Sequence, residues 1–118
     1  AEALKAMGNA KYDGGDFAGA AVFYERALAR RPDDADVRTD LGNTYFQRDP
    51  PDYRRAIIEY RQAVAIDPRH DKGWQNIAAA AIRLGDKEAA RAAVERLATV
   101  NPQSPSLPAL RQGLATLP

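Results

Sequence analysis

The sequence predicts an all-α solenoid in which three helical hairpins stack side by side and a C-terminal helix closes the stack. Three observations predict it. Laid on itself, the chain matches at an offset of 34 residues, or 36 wherever the comparison crosses residues 49–52. Each period ends in a proline (Pro32, Pro68, Pro102) that has no N–H with which to continue a helix. Between those prolines, apolar residues recur at three- and four-residue steps, the spacing of one helical face.

The recurring positions have physical meanings. Gly8, Gly42 and Ala78 are small where a first helix must approach a second one closely, and Ala20, Ala56 and Ala90 are their expected partners. Leu4, Met7, Val22, Phe23, Tyr24 and Leu28 form the expected core stripes of the first unit; Ile57, Ile58, Tyr60, Val64 and Ile66 form those of the second. Gly14-Gly15-Asp16, Asp49-Pro50-Pro51-Asp52 and Gly85-Asp86 supply the turn chemistry inside each hairpin, and the change of offset places a two-residue insertion at 49–52. The expected helices are 2–13, 17–30, 36–47, 53–66, 71–83, 87–99 and 106–116. They form one domain, 1–118, with repeats at 1–34, 35–70 and 71–104. Residues 105–118 break the period, and Leu107, Leu110, Leu114 and Leu117 give them the single apolar stripe expected of a cap on an open end.

The motifs resemble those of the tetratricopeptide (TPR) family over residues 1–104. The family's hydrophobic–x–x–hydrophobic–Gly–x–x–Tyr first helix is seen in LKAMGNAKY and RTDLGNTYF, and its second helix in AAVFYERALARRP and AIIEYRQAVAIDP. The third unit keeps Trp74 but has alanine for the glycine and Val94 for the aromatic. The resemblance implies a right-handed α–α superhelix that holds a peptide or protein in the hollow lined by its first helices.

Composition points the same way. Seventeen Lys and Arg against 16 Asp and Glu give a net charge of +1, with both signs mixed along the chain, so no field favours nucleic acid or an anionic membrane. The absence of cysteine excludes disulfides, thiolate metal sites and a cysteine nucleophile, and leaves cytosol and periplasm equally open. No apolar run approaches the roughly 18 residues of a membrane span. The chain reads as a domain cut from a longer one, whose missing part would carry any signal or anchor. Catalysis has no candidate: His70, the one histidine, reads as a solvated turn residue, and Asp33-Asp34 and Asp49/Asp52 as exposed turn carboxylates. The glycines of GGDFAG lack the strand and the Lys-Ser/Thr of a phosphate loop. No cofactor, metal or enzymatic activity is expected.

The outward residues of the first helices are Glu2, Lys5, Asn9, Tyr12 and Asp13; then Asp36, Thr39, Asp40, Asn43, Phe46 and Gln47; then Lys72, Gln75, Asn76, Ala79, Ile82 and Arg83. Asn9 and Asn43 are equivalent, and an amide carries the donor and acceptor that match an extended main chain. Tyr12 and Phe46 are candidate apolar pockets, with Ile82 extending their row. Amides alone contribute about 0.5 to 1.5 kcal/mol each, whereas micromolar affinity needs about 8 kcal/mol, so side-chain pockets must add to them. Lys5, Asn9 and Lys72 also fall on three of the five positions that clamp a terminal carboxylate in chaperone-binding members of the family. Asp40 and Asn76 replace the family's Asn and Arg at the other two, and a carboxylate there repels another. The groove is therefore expected to suit a partner carrying both signs of charge. The candidate peptide-binding residues are Lys5, Asn9, Tyr12, Asp13, Asp40, Asn43, Phe46, Gln47, Lys72, Asn76 and Arg83. A weak homo-oligomer, formed by stacking of end faces, and a regulatory segment of a larger protein are the alternatives.

Overall fold

A computed structural model describes residues 1–118 as seven helices and no strands. They are α1 (Glu2–Asp13), α2 (Phe17–Arg30), α3 (Ala35–Gln47), α4 (Tyr53–Ile66), α5 (Asp71–Leu84), α6 (Lys87–Val100) and α7 (Leu107–Ala115). The chain is an all-α helical-repeat solenoid: α1 packs on α2, α3 on α4 and α5 on α6, each pair packs on the next, and α7 lies against α5 and α6. No helix is long and apolar enough to cross a membrane.

Helix starts are set by side chains in the turns. Asp16, Asp34, Asp52 and Asp86 each accept a hydrogen bond from the backbone N–H three residues on, at 2.8 to 3.1 Å, satisfying a donor that the first turn leaves unpaired. The hairpin turn between α3 and α4 has five residues, 48–52, where that between α1 and α2 has three, 14–16.

The small residues of the first helices have a nearer partner than the alanines that their spacing points to. Gly8 and Gly42 make room above all for tyrosine rings, while Ala20 and Ala56 are fully buried on the same second helices. A Cβ on Gly8 would lie 2.6 Å from Tyr24 Cε1, and one on Gly42 would lie 2.5 Å from Tyr60 Cε1. Both rings are buried. The third hairpin carries Ala78 where Val94 replaces the tyrosine, so the extra methyl is tolerated only where the ring is gone. Gly42→Ala is accordingly expected to destabilise by about 1 to 2 kcal/mol through overpacking. Tyr60→Val is costly by itself, because it empties a buried site, but combined with Gly42→Ala it recreates the third hairpin's pair, so the double variant should lose less than the sum of the two single losses; equilibrium urea unfolding of all three measures the coupling.

The core stripes need correction at four places. Met7, Val22, Ile58 and Ile66 are 41% to 50% exposed. Met7 is equivalent to the buried Leu41 and Ile77, but it lies on α1, the first helix of the stack, and is exposed there. Val22 and Ile58 share an outer-face position with the exposed Ala92. Ile66 lies at the last residue of α4.

Candidate functional site

The first helices line two polar clefts that share Asp40 and Asn43 and so form one groove. The first cleft, about 310 Å³, is lined by Asn9, Tyr12 and Asp13 of α1, Tyr24 of α2, and Asp40 and Asn43 of α3. The second, about 330 Å³, is lined by Lys5, Asp36, Thr39, Asp40, Asn43, His70, Lys72 and Asn76, with no apolar side chain among them.

The two asparagines are held by the same tyrosines that require glycine beside them. The Tyr24 hydroxyl donates to Asn9 Oδ1 and the Tyr60 hydroxyl to Asn43 Oδ1, both at 2.6 Å. Asn76 Nδ2 also donates to Asn43 Oδ1, at 3.2 Å. Burial raises both tyrosines above the ordinary phenol range, with the Asp40 carboxylate adding to the effect, so their hydroxyls keep their protons and remain donors. With each Oδ1 engaged, the Asn9 and Asn43 Nδ2 groups make no hydrogen bond within the chain, so two amide donors stand in successive hairpins. The glycine, asparagine and tyrosine act as one unit. The third hairpin lacks all three together, having Ala78, Ala79 and Val94.

Asp40 sits where α1, α3 and α5 converge, and its carboxyl is pushed up to about 6. Burial is the main cause; Asp36 and Asp34 push in the same direction, while Lys5 and Lys72 pull it down. Neither lysine is within ion-pair distance of a carboxylate. The groove thus holds two cations without direct partners beside a half-buried acid that titrates near neutrality.

His70 is not a solvated turn residue. Its side chain is only 10% exposed and begins α5: the Gly73 N–H donates to Nδ1 at 3.0 Å. Nδ1 is therefore unprotonated and the ring proton sits on Nε2, 2.8 Å from Asp36 Oδ1. The ring thereby ties the start of α5 to the start of α3 along the groove wall.

Of the candidate residues, Lys5, Asn9, Tyr12, Asp13, Asp40, Asn43, Lys72 and Asn76 line this groove. Phe46 and Arg83 lie elsewhere, and Gln47 lines neither cleft. Phe46 packs edge-on against Tyr53 with ring centroids 5.1 Å apart, and the Arg83 guanidinium caps both rings while donating to the Tyr53 hydroxyl at 3.3 Å. Tyr12 meets Phe17 edge-on in the same way, at 5.1 Å. Ile82 does not extend an apolar row in the groove: α7 covers it, with Gly113 against its side chain. The residues that spacing alone did not pick out as part of the site are Tyr24 and His70. The recurrence of Tyr24 as Tyr60, and their joint loss with the asparagine in the third unit, is the sequence signal for the first.

Stacked hairpins with a polar trough on their first helices define a helical-repeat scaffold. The family model described as Cilia and flagella-associated protein 70 middle TPR-like domain matches residues 4–112, and the chain belongs to this family of TPR-like domains. A curated relative from Arabidopsis thaliana, described as inactive TPR repeat-containing thioredoxin TTL3, is 36% identical over 92 residues, covering 76% of this chain. The chain spans only 13% of that relative's length. Among solved structures, the Arabidopsis OM64 TPR domain matches with a TM-score of 0.88 at 21% identity, over 97% of this chain and 93% of that one. The second TPR domain of human RPAP3, in complex with the HSP70 peptide SGPTIEEVD, matches with a TM-score of 0.88 at 19% identity, over 96% and 92% of the two chains. These structures share the fold. The fold is that of a protein-interaction scaffold.

Proposed function

We propose that the groove between α1, α3 and α5 holds an extended peptide segment of a protein partner, with Asn9 and Asn43 gripping its main chain. The observation that carries this reading is the tyrosine–asparagine pairing: two buried hydroxyls hold two amides by their oxygens, leaving their N–H groups to meet backbone carbonyls. Pre-orientation lowers the entropy lost when a ligand is gripped. Lys5 and Lys72, interleaved in the groove with Asp13, Asp36 and Asp40, favour a segment carrying charges of both signs. Such a segment lies along the groove as an internal stretch of the partner, because the Asp40 carboxylate disfavours a terminal one. The peptide complex formed by the RPAP3 domain, which shares the fold, supports a peptide as the class of ligand.

Replacing both asparagines with alanine would strip Tyr24 and Tyr60 of their acceptors as well, so it confounds binding with folding. Asn9→Asp with Asn43→Asp keeps an oxygen for each hydroxyl and replaces each donor with a carboxylate oxygen, whose charge repels the carbonyl that the amide would have met. That double variant is expected to keep its helicity and lose at least about tenfold in affinity, the equivalent of about 1.4 kcal/mol. The measurement is fluorescence anisotropy against a panel of synthetic peptides with alternating Lys and Glu and blocked ends. The side-chain amide resonances of Asn9 and Asn43 in the parent protein provide a direct readout. If bound peptide leaves those resonances in place while shifting residues of α2, α4 and α6, the groove is not the site.

A further inference from the structure

On the other side of the stack, an apolar cleft of about 530 Å³ lies between α4 and α6, over Trp74 and Ile77 of α5. It shares no residue with the polar groove. Its size falls in the range of ligand-binding pockets, roughly 300 to 1,000 Å³. What singles it out is comparison with the equivalent cleft one repeat earlier, between α2 and α4.

That earlier cleft is smaller, about 350 Å³, and is lined by the protein's own charges. Glu59 is buried there and pairs with Arg38 and Arg55, each at 3.3 Å, and Glu25 stands at the rim. One repeat on, at the offsets of 36 and 34, Arg38 becomes Trp74, Arg55 becomes Ala89, Glu59 becomes Ala93 and Glu25 becomes Arg61. The substitutions are concerted. The ion-paired lining is lost as a set, two alanines widen the floor, an indole takes the place of a guanidinium, and the rim changes sign. Arg96 joins Arg61 on that rim, its guanidinium 5.0 Å from the Trp74 ring centroid. Neither arginine pairs with a carboxylate, and no acidic side chain lines the cleft.

We propose that this α4–α6 cleft is a second binding site, which takes an acidic peptide segment by seating a bulky apolar side chain against Trp74 and receiving the flanking carboxylates on Arg61 and Arg96. An apolar floor with an aromatic wall supplies the anchor, in the manner of a desolvated hot spot ringed by polar contacts. The basic rim sets the sign of the ligand: an apolar segment flanked by lysines meets two like charges, whereas one flanked by glutamates meets two guanidinium forks. The Trp74 indole N–H is already engaged, donating to the Pro68 carbonyl at 2.8 Å, so the cleft offers the ring face, which a bound side chain shares with the Arg96 guanidinium 5.0 Å from the centroid.

Trp74 is the only tryptophan in the chain, so its fluorescence reads this cleft directly. The probe is an acetylated and amidated synthetic peptide, Glu-Glu-Phe-Leu-Glu-Glu, with two controls: lysines in place of the glutamates, and alanines in place of Phe and Leu. The expected result is a saturable change in Trp74 emission with the first peptide alone. Arg61→Glu with Arg96→Glu, at exposed positions, should weaken that response by about a hundredfold, or about 2.8 kcal/mol at tenfold per 1.4 kcal/mol, and should admit the lysine peptide instead. Ala89→Arg with Ala93→Glu, which places the equivalent of the Arg55–Glu59 pair in the floor, should abolish the response while Asn9→Asp with Asn43→Asp leaves it intact. The proposal is overturned by an unresponsive Trp74, by equal responses to the acidic and basic peptides, or by indifference to the arginine reversals. It is equally overturned if sedimentation shows the chain self-associating through this face, for then the occupant is a second copy.

Discussion

Glu59→Ala is expected to lower the unfolding free energy by about 3 to 5 kcal/mol, the cost of breaking a buried ion pair by removing one partner. Glu59 is 3% exposed and is the only carboxylate within ion-pair distance of Arg38 and Arg55, at 3.3 Å from each. Arg38 is already short of partners, since its Nε is buried with no hydrogen bond. Without Glu59, its guanidinium, on a side chain only 22% exposed, has no carboxylate to offset its charge. By contrast, Glu88→Ala breaks the exposed Arg91–Glu88 pair of 2.7 Å, and it should change stability by less than about 0.5 kcal/mol because solvent screens that pair. A second comparison separates charge from packing. Arg38→Leu combined with Glu59→Ala removes both charges, as the α4–α6 cleft has done with Trp74 and Ala93, and should cost less than Glu59→Ala alone. Urea unfolding followed by circular dichroism decides the matter. A loss below about 1 kcal/mol for Glu59→Ala would mean that water reaches the pair.

The helices were legible because the evidence for them is local and repeated. A proline after each second helix, apolar stripes at helical spacing, and aspartates before α2, α4 and α6 each act within a few residues of where they stand. Three copies of the pattern then average out its irregularities. What escaped was information carried between helices. Laying repeats over one another aligns equivalent positions but says nothing of which positions touch, so the pairing of Gly42 with Ala56 leaves out the ring of Tyr60, which lies nearest to it. The same limit hid the hydroxyl of Tyr60 behind Asn43, and with it the reason that amide presents its N–H groups. His70 was read from its turn, where histidine is usually solvated, while its fate depends on Gly73 ahead of it and on Asp36 in another hairpin. Phe46 and Asn43 lie three residues apart on α3, yet only Asn43 lines the groove, because Tyr53 and Arg83 draw the phenyl ring into a separate cluster. Exposure at the ends of a stack is likewise invisible to periodicity: Met7 obeys the core pattern and still faces outward.

Asp40→Asn should both stabilise the fold near neutral pH and change what the groove accepts. The Asp40 carboxyl is pushed up to about 6 from an ordinary 3.8, chiefly by burial, so the folded protein holds this proton more tightly than the unfolded chain does. The sign follows from that difference. The stabilising contribution is complete below pH 3.8 and is lost as pH rises through about 6, because above that point folding must desolvate an ionised carboxylate. After allowance for solvent at the groove mouth, the loss is on the order of 2 kcal/mol. Asparagine has no such charge, so the variant should exceed the parent by that amount at pH 7.5 and converge with it at low pH. In the proposed peptide groove, the same charge stands between Lys5 and Lys72 and opposes any ligand carboxylate brought to them. Asp34 and Asp36 add to that opposition, and His70 shares the site. A peptide ending in a free carboxylate after Glu-Glu-Val-Asp should therefore bind the parent weakly at pH 7.5 and at least about tenfold better to Asp40→Asn, a gain of about 1.4 kcal/mol. Lowering the pH through 6 should strengthen binding to the parent more than to the variant. His70, Asp34 and Asp36 are common to both proteins, so the ratio of the two affinities isolates Asp40. A ratio that stays constant from pH 5 to 7.5 would mean that the bound carboxylate lies away from the two lysines.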